Sequence, residues 1–311
     1  MKIFVTGGAG FIGKHLIKLL VNQNHQITLF DNFSNSSKND LECIEFEKIE
    51  IVKGDILNEE DILKNLPGNE IVIHLAAKIS VNESIKNPEE TLEVNVKGTE
   101  NILNASIKND VKRIFTFSSA AIYGNNENRN HFSKESDKTI SISPYGESKI
   151  RMEKEIMNTC KNQKIKSTIF RLFNVYGKGQ SKEYSGVISK FADDIKKNRS
   201  LSIYGNGEQS RDFIAVEDIV EIIGKIINED LGKNNEIYNL GTGIPTTITE
   251  LADIMIELNG KKIDKLFFNE REGDIFHSCA SIQKAKKELN FNPKISLNEG
   301  LHKFLKLHNN L

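Results

Sequence analysis

TGGAGFIGKHLIKLL, residues 6–20, directly follows the strand-like KIFVT of residues 2–6 and opens an amphipathic helix. Gly7, Gly10 and Gly13 stand in a GxxGxxG spacing, with Phe11 and Ile12 between the last two. Without side chains, such a turn lets backbone N–H groups approach a pyrophosphate, whose charge is further stabilised at the positive end of the helix. The spacing alone also suits a tight strand-to-helix turn that binds nothing. Residues further along the chain separate these two possibilities.

Outward from this turn, short runs rich in Val, Ile and Phe alternate with segments of helical period. The runs fall at residues 2–6, 26–30, 49–54, 70–76, 113–119 and 166–173. This alternation predicts βαβ units and a parallel sheet, a Rossmann-type doubly wound α/β domain of six strands. Helices are expected after Gly10 and near Asn58, Pro88 and Pro144. Past Gly177 the Gly-, Ser- and Lys-rich GKGQSKEYSG (residues 177–186) breaks the alternation. We therefore expect a dinucleotide-binding domain over residues 1–176 and a smaller α/β substrate lobe over residues 177–311, with about 211–243 returning to the first domain.

With 42 Lys plus Arg against 43 Asp plus Glu, the formal charge is −1, which gives no general attraction to nucleic acid or an anionic membrane. No basic segment followed by a long apolar stretch reads as a signal or anchor, so the expected location is the cytoplasm. Cys43, Cys160 and Cys279 are far apart and form no CxxC or Cys/His pair, so neither a disulfide framework nor a metal site is expected.

Asp31, at the end of the second run and about 20 residues beyond the turn, can accept hydrogen bonds from an adenosine ribose. Its carboxylate would repel a 2′-phosphate, which favours NAD over NADP. Asn32 adjoins it, and Asp55 and Ile56 in GDIL (residues 54–57) follow the third run, where Asp55 can reach an adenine edge or simply close a turn. SPYGESK (residues 143–149) places Tyr145 and Lys149 four apart on one helix face. An ammonium near a phenol lowers its pKa and makes it a base near neutral pH; the bland alternative is a half-buried aromatic beside a surface lysine. Ser118 and Ser119 end the fifth run, where open α/β sheets place their ligands, although strand-end serines also serve as caps.

TGGAGFIG, GDIL, HLAA (residues 74–77), VNVKGT around Asn95, SSAAIYG (residues 118–124), YGESK, FRLFNVYG (residues 170–177), IYGNGEQSRDFIAVEDIV (residues 203–220), NLGTG (residues 239–243) and REGDIFHS (residues 271–278) occur in the order of the extended short-chain dehydrogenase/reductases. More narrowly, the chain resembles the nucleotide-sugar epimerases. The resemblance implies Tyr145 as catalytic base, Lys149 as its activator and a ribose ligand, and Ser119 as hydroxyl partner. It implies an NAD site lined by Leu75, Ala76, Ala77, Asn95, Ser118 and Phe173, and a UDP-sugar site with Ser80, Asn174 and Val187. Ser202, Ile203 and Tyr204 would run along the uracil, Asp274 near its ribose, and Arg211 with Arg271 would clamp the diphosphate. Two guanidiniums suit that clamp, yet each Arg alone could pair with Asp212 or Asp274 instead.

The expected reaction is inversion at C4 of a UDP-hexose through a 4-keto sugar. Related dehydratases and decarboxylases carry an acid or base right after the serine, where this sequence has Ala120 and Ala121. Ser278, in place of a bulky tyrosine, implies room for an N-acetyl group. A UDP-glucuronate epimerase, a dehydratase or decarboxylase, and an NAD-binding sensor without chemistry stay open. The resemblance also implies a homodimer through the helices starting near Pro88 and Gly146.

Overall fold

The first strand is buried along four of its five residues and so must be covered on both faces, the condition that produces a parallel sheet sandwiched by helices. The computed structural model describes residues 1–37, 41, 48–180, 186–270 and 274–309. In it β1 (Lys2–Thr6) pairs in parallel with both β2 (Gln26–Asp31) and β4 (Ile71–His74); β3 (Ile49–Lys53) extends one side and β5 (Arg113–Ser119) the other. Beyond β5 come β6 (Lys166–Leu172) and β10 (Glu236–Leu240), giving the order β10-β6-β5-β4-β1-β2-β3. The direction of winding reverses at β1, so the glycine turn opens at the switch point where such sheets take their ligands.

Six strands were expected and seven are present. The addition is β10, EIYNL, which lies within the stretch of about 211–243 expected to return to the first domain. The strand expected over residues 70–76 stops at His74, and residues 75–77 turn away as loop.

Helix α1 (Phe11–Asn22) buries Gly13, Leu16, Ile17, Leu20 and Val21, one stripe at helical spacing. On the sheet also lie α2 (Glu59–Asn65), α5 (Gly98–Lys108) and α6 (Pro144–Gln163). The last begins with Ser143 accepting from the Gly146 N–H and with Pro144 in its first turn, a strong N-terminal signal. Short α3 (Val81–Lys86), α4 (Pro88–Leu92) and a π-helical turn (Glu93–Lys97) connect β4 to α5.

Two compact units emerge. The first comprises Met1–Ile122, Thr139–Arg171 and Val220–Tyr238; the second comprises Tyr123–Lys138, Leu172–Ile219 and Asn239–Leu311. The expected return of about 211–243 is met by Val220–Tyr238, while residues 211–219 and 239–243 remain in the second unit, and residues 123–138 leave the first unit early. The first unit's core joins Phe4, Phe30, Val72, Ile114, Ile156 and Ile169 among others.

The second unit has its own core, around Phe191, Leu201, Ile203, Leu251, Met255 and Leu301. Its sheets are built from β7 (Asn174–Tyr176), β9 (Ser210–Ala215), β11 (Pro245–Thr247) and β13 (His277–Ser278), and from β8 (Leu201–Tyr204) paired with β12 (Lys265–Phe268). Among the described residues no helix is long and apolar enough to cross a membrane.

Candidate active site

The glycine turn is as tight as its sequence demands. Gly7 has φ +65°, and a Cβ there would stand 2.6 Å from the Ala76 nitrogen, so both conformation and space require glycine. A Cβ at Gly13 would lie 2.6 Å from the carbonyl oxygens of Gly7 and Gly8, which is how closely α1 packs on the turn. Gly10 caps α1 without a side-chain hydrogen bond, so no side chain takes up the first N–H groups of the helix. Phe11 and Ile12 are half-buried at this end.

Asp31 ends β2 beside the turn. Its Oδ2 accepts from the Ala9 N–H at 3.0 Å and its Oδ1 from the Phe33 N–H at 2.8 Å, while burial pushes its pKa up. Asn32 donates to Asp55 at 3.1 Å, and Asp55 also accepts from the Leu57 N–H at 2.9 Å. Ile56 is buried against Gly98, and Leu75 to Ala77 are half-buried beside Gly7.

Asn95, expected to line the NAD site, is engaged by neighbours within the first unit. It is 1% exposed, and its amide exchanges hydrogen bonds with the Lys78 N–H at 2.8 Å and the Lys78 carbonyl at 2.9 Å while donating to Ser148 Oγ at 2.9 Å. The side chain is taken up in bracing the loop after β4 against α6. Ser118 differs: its Oγ is buried with no hydrogen-bond partner among the described residues, an unmet polar atom at the end of β5.

Ser119, Tyr145 and Lys149 come together in the first unit. The Ser119 hydroxyl lies close enough to the Tyr145 phenol to oppose the effect of its burial, and it accepts from the Ala121 N–H at 3.2 Å. Lys149 Nζ donates to the Phe117 carbonyl at 2.8 Å and lies 5.9 Å from the centre of the Tyr145 ring. The expected lowering of the tyrosine pKa by the lysine is not what results: burial pushes Tyr145 up, with Ser119 partly opposing, and pushes Lys149 down to about 8. Both groups lose hydration, and at this distance each feels that loss more than the other's charge. Burial therefore disfavours the Tyr145 phenolate, and it leaves the Lys149 ammonium easier to deprotonate than a free lysine.

Gly146 permits this arrangement. A Cβ there would meet the Ser141 hydroxyl and stand 2.9 Å from the Ala121 carbonyl, so α6 starts as close to the segment after β5 as backbone allows. Tyr145 is fixed further by its own N–H, which donates to the buried Ser84 Oγ at 3.1 Å. Neither Ser84 nor Ser148 stood out in the sequence, because their partners lie far along the chain.

In the second unit, Arg211 Nη1 donates to the Ser210 and Phe276 carbonyls at 2.9 and 3.4 Å, and Nη2 pairs with Asp274 at 2.7 Å. Ser278 is the register partner of Arg211. Arg271, the other half of the expected clamp, lies outside the described residues, as does Cys43. Ser202 and Tyr204 are half-buried on β8, with Lys190 Nζ 5.0 Å over the Tyr204 ring. Ile203 between them is 0% exposed in the core, so its side chain cannot line a ligand as expected; strand alternation turns it inward. Asn174 is exposed, Phe173 is buried against Tyr123, and Val187 opens α7 (Val187–Lys196). Ser80, in the first unit, caps α3 by accepting from the Glu83 N–H at 3.1 Å.

Comparison with known proteins then decides the family. Residues 3–241 match the family model described as "NAD dependent epimerase/dehydratase family". The chain belongs to that family. A Methanocaldococcus jannaschii relative, provisionally named a UDP-glucose 4-epimerase, is 37% identical over 96% of this chain and 95% of its own. The crystal structure of Thermotoga maritima UDP-glucose 4-epimerase with UDP-glucose superposes with TM-score 0.91 at 32% identity, covering 98% of both chains. A UDP-N-acetylglucosamine 4-epimerase from Methanobrevibacter ruminantium gives TM-score 0.91 at 32% identity over 98% of this chain and 97% of that one.

The cofactor of this epimerase/dehydratase family member is NAD. The first unit fits it: a turn without room for a Cβ at Gly7 or Gly13, a helix start without a side-chain cap, the Asp31 carboxylate beside the turn, and an unmet hydroxyl at Ser118.

Proposed function

We propose that the protein is a UDP-hexose 4-epimerase, an isomerase that interconverts UDP-glucose and UDP-galactose and accepts their N-acetylated forms. The observation that carries this reading is the grouping of Ser119, Tyr145 and Lys149, with Lys149 Nζ 5.9 Å from the Tyr145 ring centre, next to the side chains of Ala120 and Ala121, which can neither give nor take a proton. NAD, when bound, supplies the reversible hydride acceptor that inversion at a secondary alcohol needs.

The chain's own residues handle the proton. Tyr145, as the phenolate, takes it from the C4 hydroxyl while Ser119 supports the developing charge; the Lys149 ammonium works against the burial that disfavours that phenolate without outweighing it. With the 4-keto sugar turned over, Tyr145 returns the proton and the opposite configuration results. Without an acid beside Ser119 to expel a hydroxyl, inversion is the outcome favoured over dehydration. In this reading Arg211 serves the diphosphate: its Nη1 is fixed by two carbonyls, and Nη2 exchanges Asp274 for phosphate oxygens. Ser278, small and half-buried, supports tolerance of an N-acetyl group.

Incubation with both sugar pairs and with UDP-glucuronate, followed by separation of products, tests the reading. Conversion within both pairs is expected. Inactivity on the N-acetyl pair removes the broader specificity, and a decarboxylated or dehydrated product overturns epimerisation altogether. The proposal includes a cytoplasmic homodimer, which light scattering of the purified protein and fractionation of cells check.

A further inference from the structure

We propose that His74 is a positioning residue that ties the strand leading into the glycine turn to the helix carrying Tyr145 and Lys149. The inference rests on reading those two as the proton-handling groups. His74 closes β4 after the buried Ile71, Val72 and Ile73, and it is 3% exposed. An isoleucine would fill the same place without the desolvation cost of an imidazole.

The hydrogen bonds around it run in one direction. The Ala76 N–H donates to Thr6 Oγ1 at 3.2 Å, and Thr6 Oγ1 lies 2.7 Å from His74 Nδ1. His74 Nε2 lies 3.1 Å from Thr99 Oγ1, whose own proton goes to the Asn95 carbonyl at 2.6 Å. Thr99 therefore offers only a lone pair to the imidazole, so Nε2 carries the hydrogen and Nδ1 accepts from Thr6. Beyond Asn95, the side-chain amide donates to Ser148 Oγ, and Ser148 donates to the Tyr145 carbonyl at 2.6 Å. Each donor is matched by one acceptor from β1 to α6, and no member can be reversed without breaking two bonds.

The state of the ring agrees. Burial, with the nearby Lys149 ammonium adding to it, pushes the His74 pKa down to about 3. A neutral ring is the only form that accepts from Thr6, and it adds no second positive charge near Lys149.

The test uses His74→Phe, which keeps the ring's bulk, and His74→Gln, whose amide can accept from Thr6 and donate to Thr99. In the wild type, nitrogen NMR of the imidazole is expected to show the neutral Nε2–H form throughout the neutral range. His74→Phe should lower kcat by about tenfold or more with KM for the sugar nucleotide within about twofold, because small displacements of reacting groups cost rate rather than binding. His74→Gln should recover most of the loss. Should the phenylalanine variant fail to fold, Thr99→Val removes the same acceptor at equal volume and should give the same kcat loss. An imidazolium or Nδ1–H form, an undiminished kcat in His74→Phe, or a glutamine variant no better than the phenylalanine one overturns the inference. If no UDP-sugar turns over, the epimerase reading fails by itself. The role of His74 is then decided by amide exchange at residues 145–149, about tenfold faster in the phenylalanine variant and restored by glutamine, or unchanged if the inference is wrong.

Discussion

Tyr145 and Lys149 are buried together, and burial moves their pKa values in opposite directions. Replacing Tyr145 by Phe keeps the ring and removes the proton carrier. Turnover of a UDP-hexose should fall by roughly 10² to 10⁴, the usual contribution of a general acid–base group, with NAD retention unchanged. For Lys149, folding lowers the value from 10.5 to about 8. Between these limits the unfolded chain holds the extra proton, so stability rises with pH there, and below about 8 the full cost of burying the ammonium is present. At roughly 1.36 kcal/mol per pH unit that cost is about 3 kcal/mol at its upper bound. Lys149→Met should therefore gain most in urea stability relative to the wild type near pH 7 and little near pH 10.5, while losing activity at both. Legibility in the sequence follows the same scale. Asp31, Tyr145 and Lys149 could be read because strand end and helix face are local patterns. Asn95, Ile203 and His74 could not, since what decides each is a partner 17 to 68 residues away or the inward side of a strand whose register is set elsewhere.

At the scale of elements, the glycine turn and α1 act as one piece because nothing separates them. A methyl group at Gly13 would press on two carbonyl oxygens of the turn itself. Overpacking of this kind costs about 1 to 3 kcal/mol. Gly13→Ala should therefore weaken NAD binding roughly tenfold or more, as read by titration of the fluorescence of reduced cofactor, and leave the far-ultraviolet dichroism of the helices in place. The same neighbourhood makes Asp31 the discriminating element: its carboxylate already accepts two backbone N–H groups and points its charge at the turn. Of the six strands read from apolar runs, β1, β3, β4 and β5 are each followed by helical turns. β10 escaped because EIYNL is short, mixes polar with apolar residues and runs into the NLGTG motif, so nothing local shows that it completes a sheet begun more than 200 residues earlier.

For the whole molecule, cofactor binding and folding are coupled, because the turn, β2 and the end of β5 reach their positions only in the folded first unit. At a free NAD concentration about 100 times Kd, binding should stabilise the native state by about 2.7 kcal/mol. Thermal unfolding should shift upward by several degrees with NAD and much less with the same concentration of NADP. A protein that melts identically with and without NAD would contradict the cofactor site described for the first unit.

The path of the chain also bears on its synthesis. The first unit takes three separate stretches of sequence, and its last sheet strand is β10, which ends at Leu240. A growing chain can lay down the glycine turn almost at once, yet it leaves the β6 edge of the sheet unpaired until those late residues emerge. Exposed strand edges invite pairing with other chains. A fragment stopped at residue 176 should therefore aggregate, with or without NAD, and any chaperone that protects this protein during translation should act longest on the interval between β6 and β10.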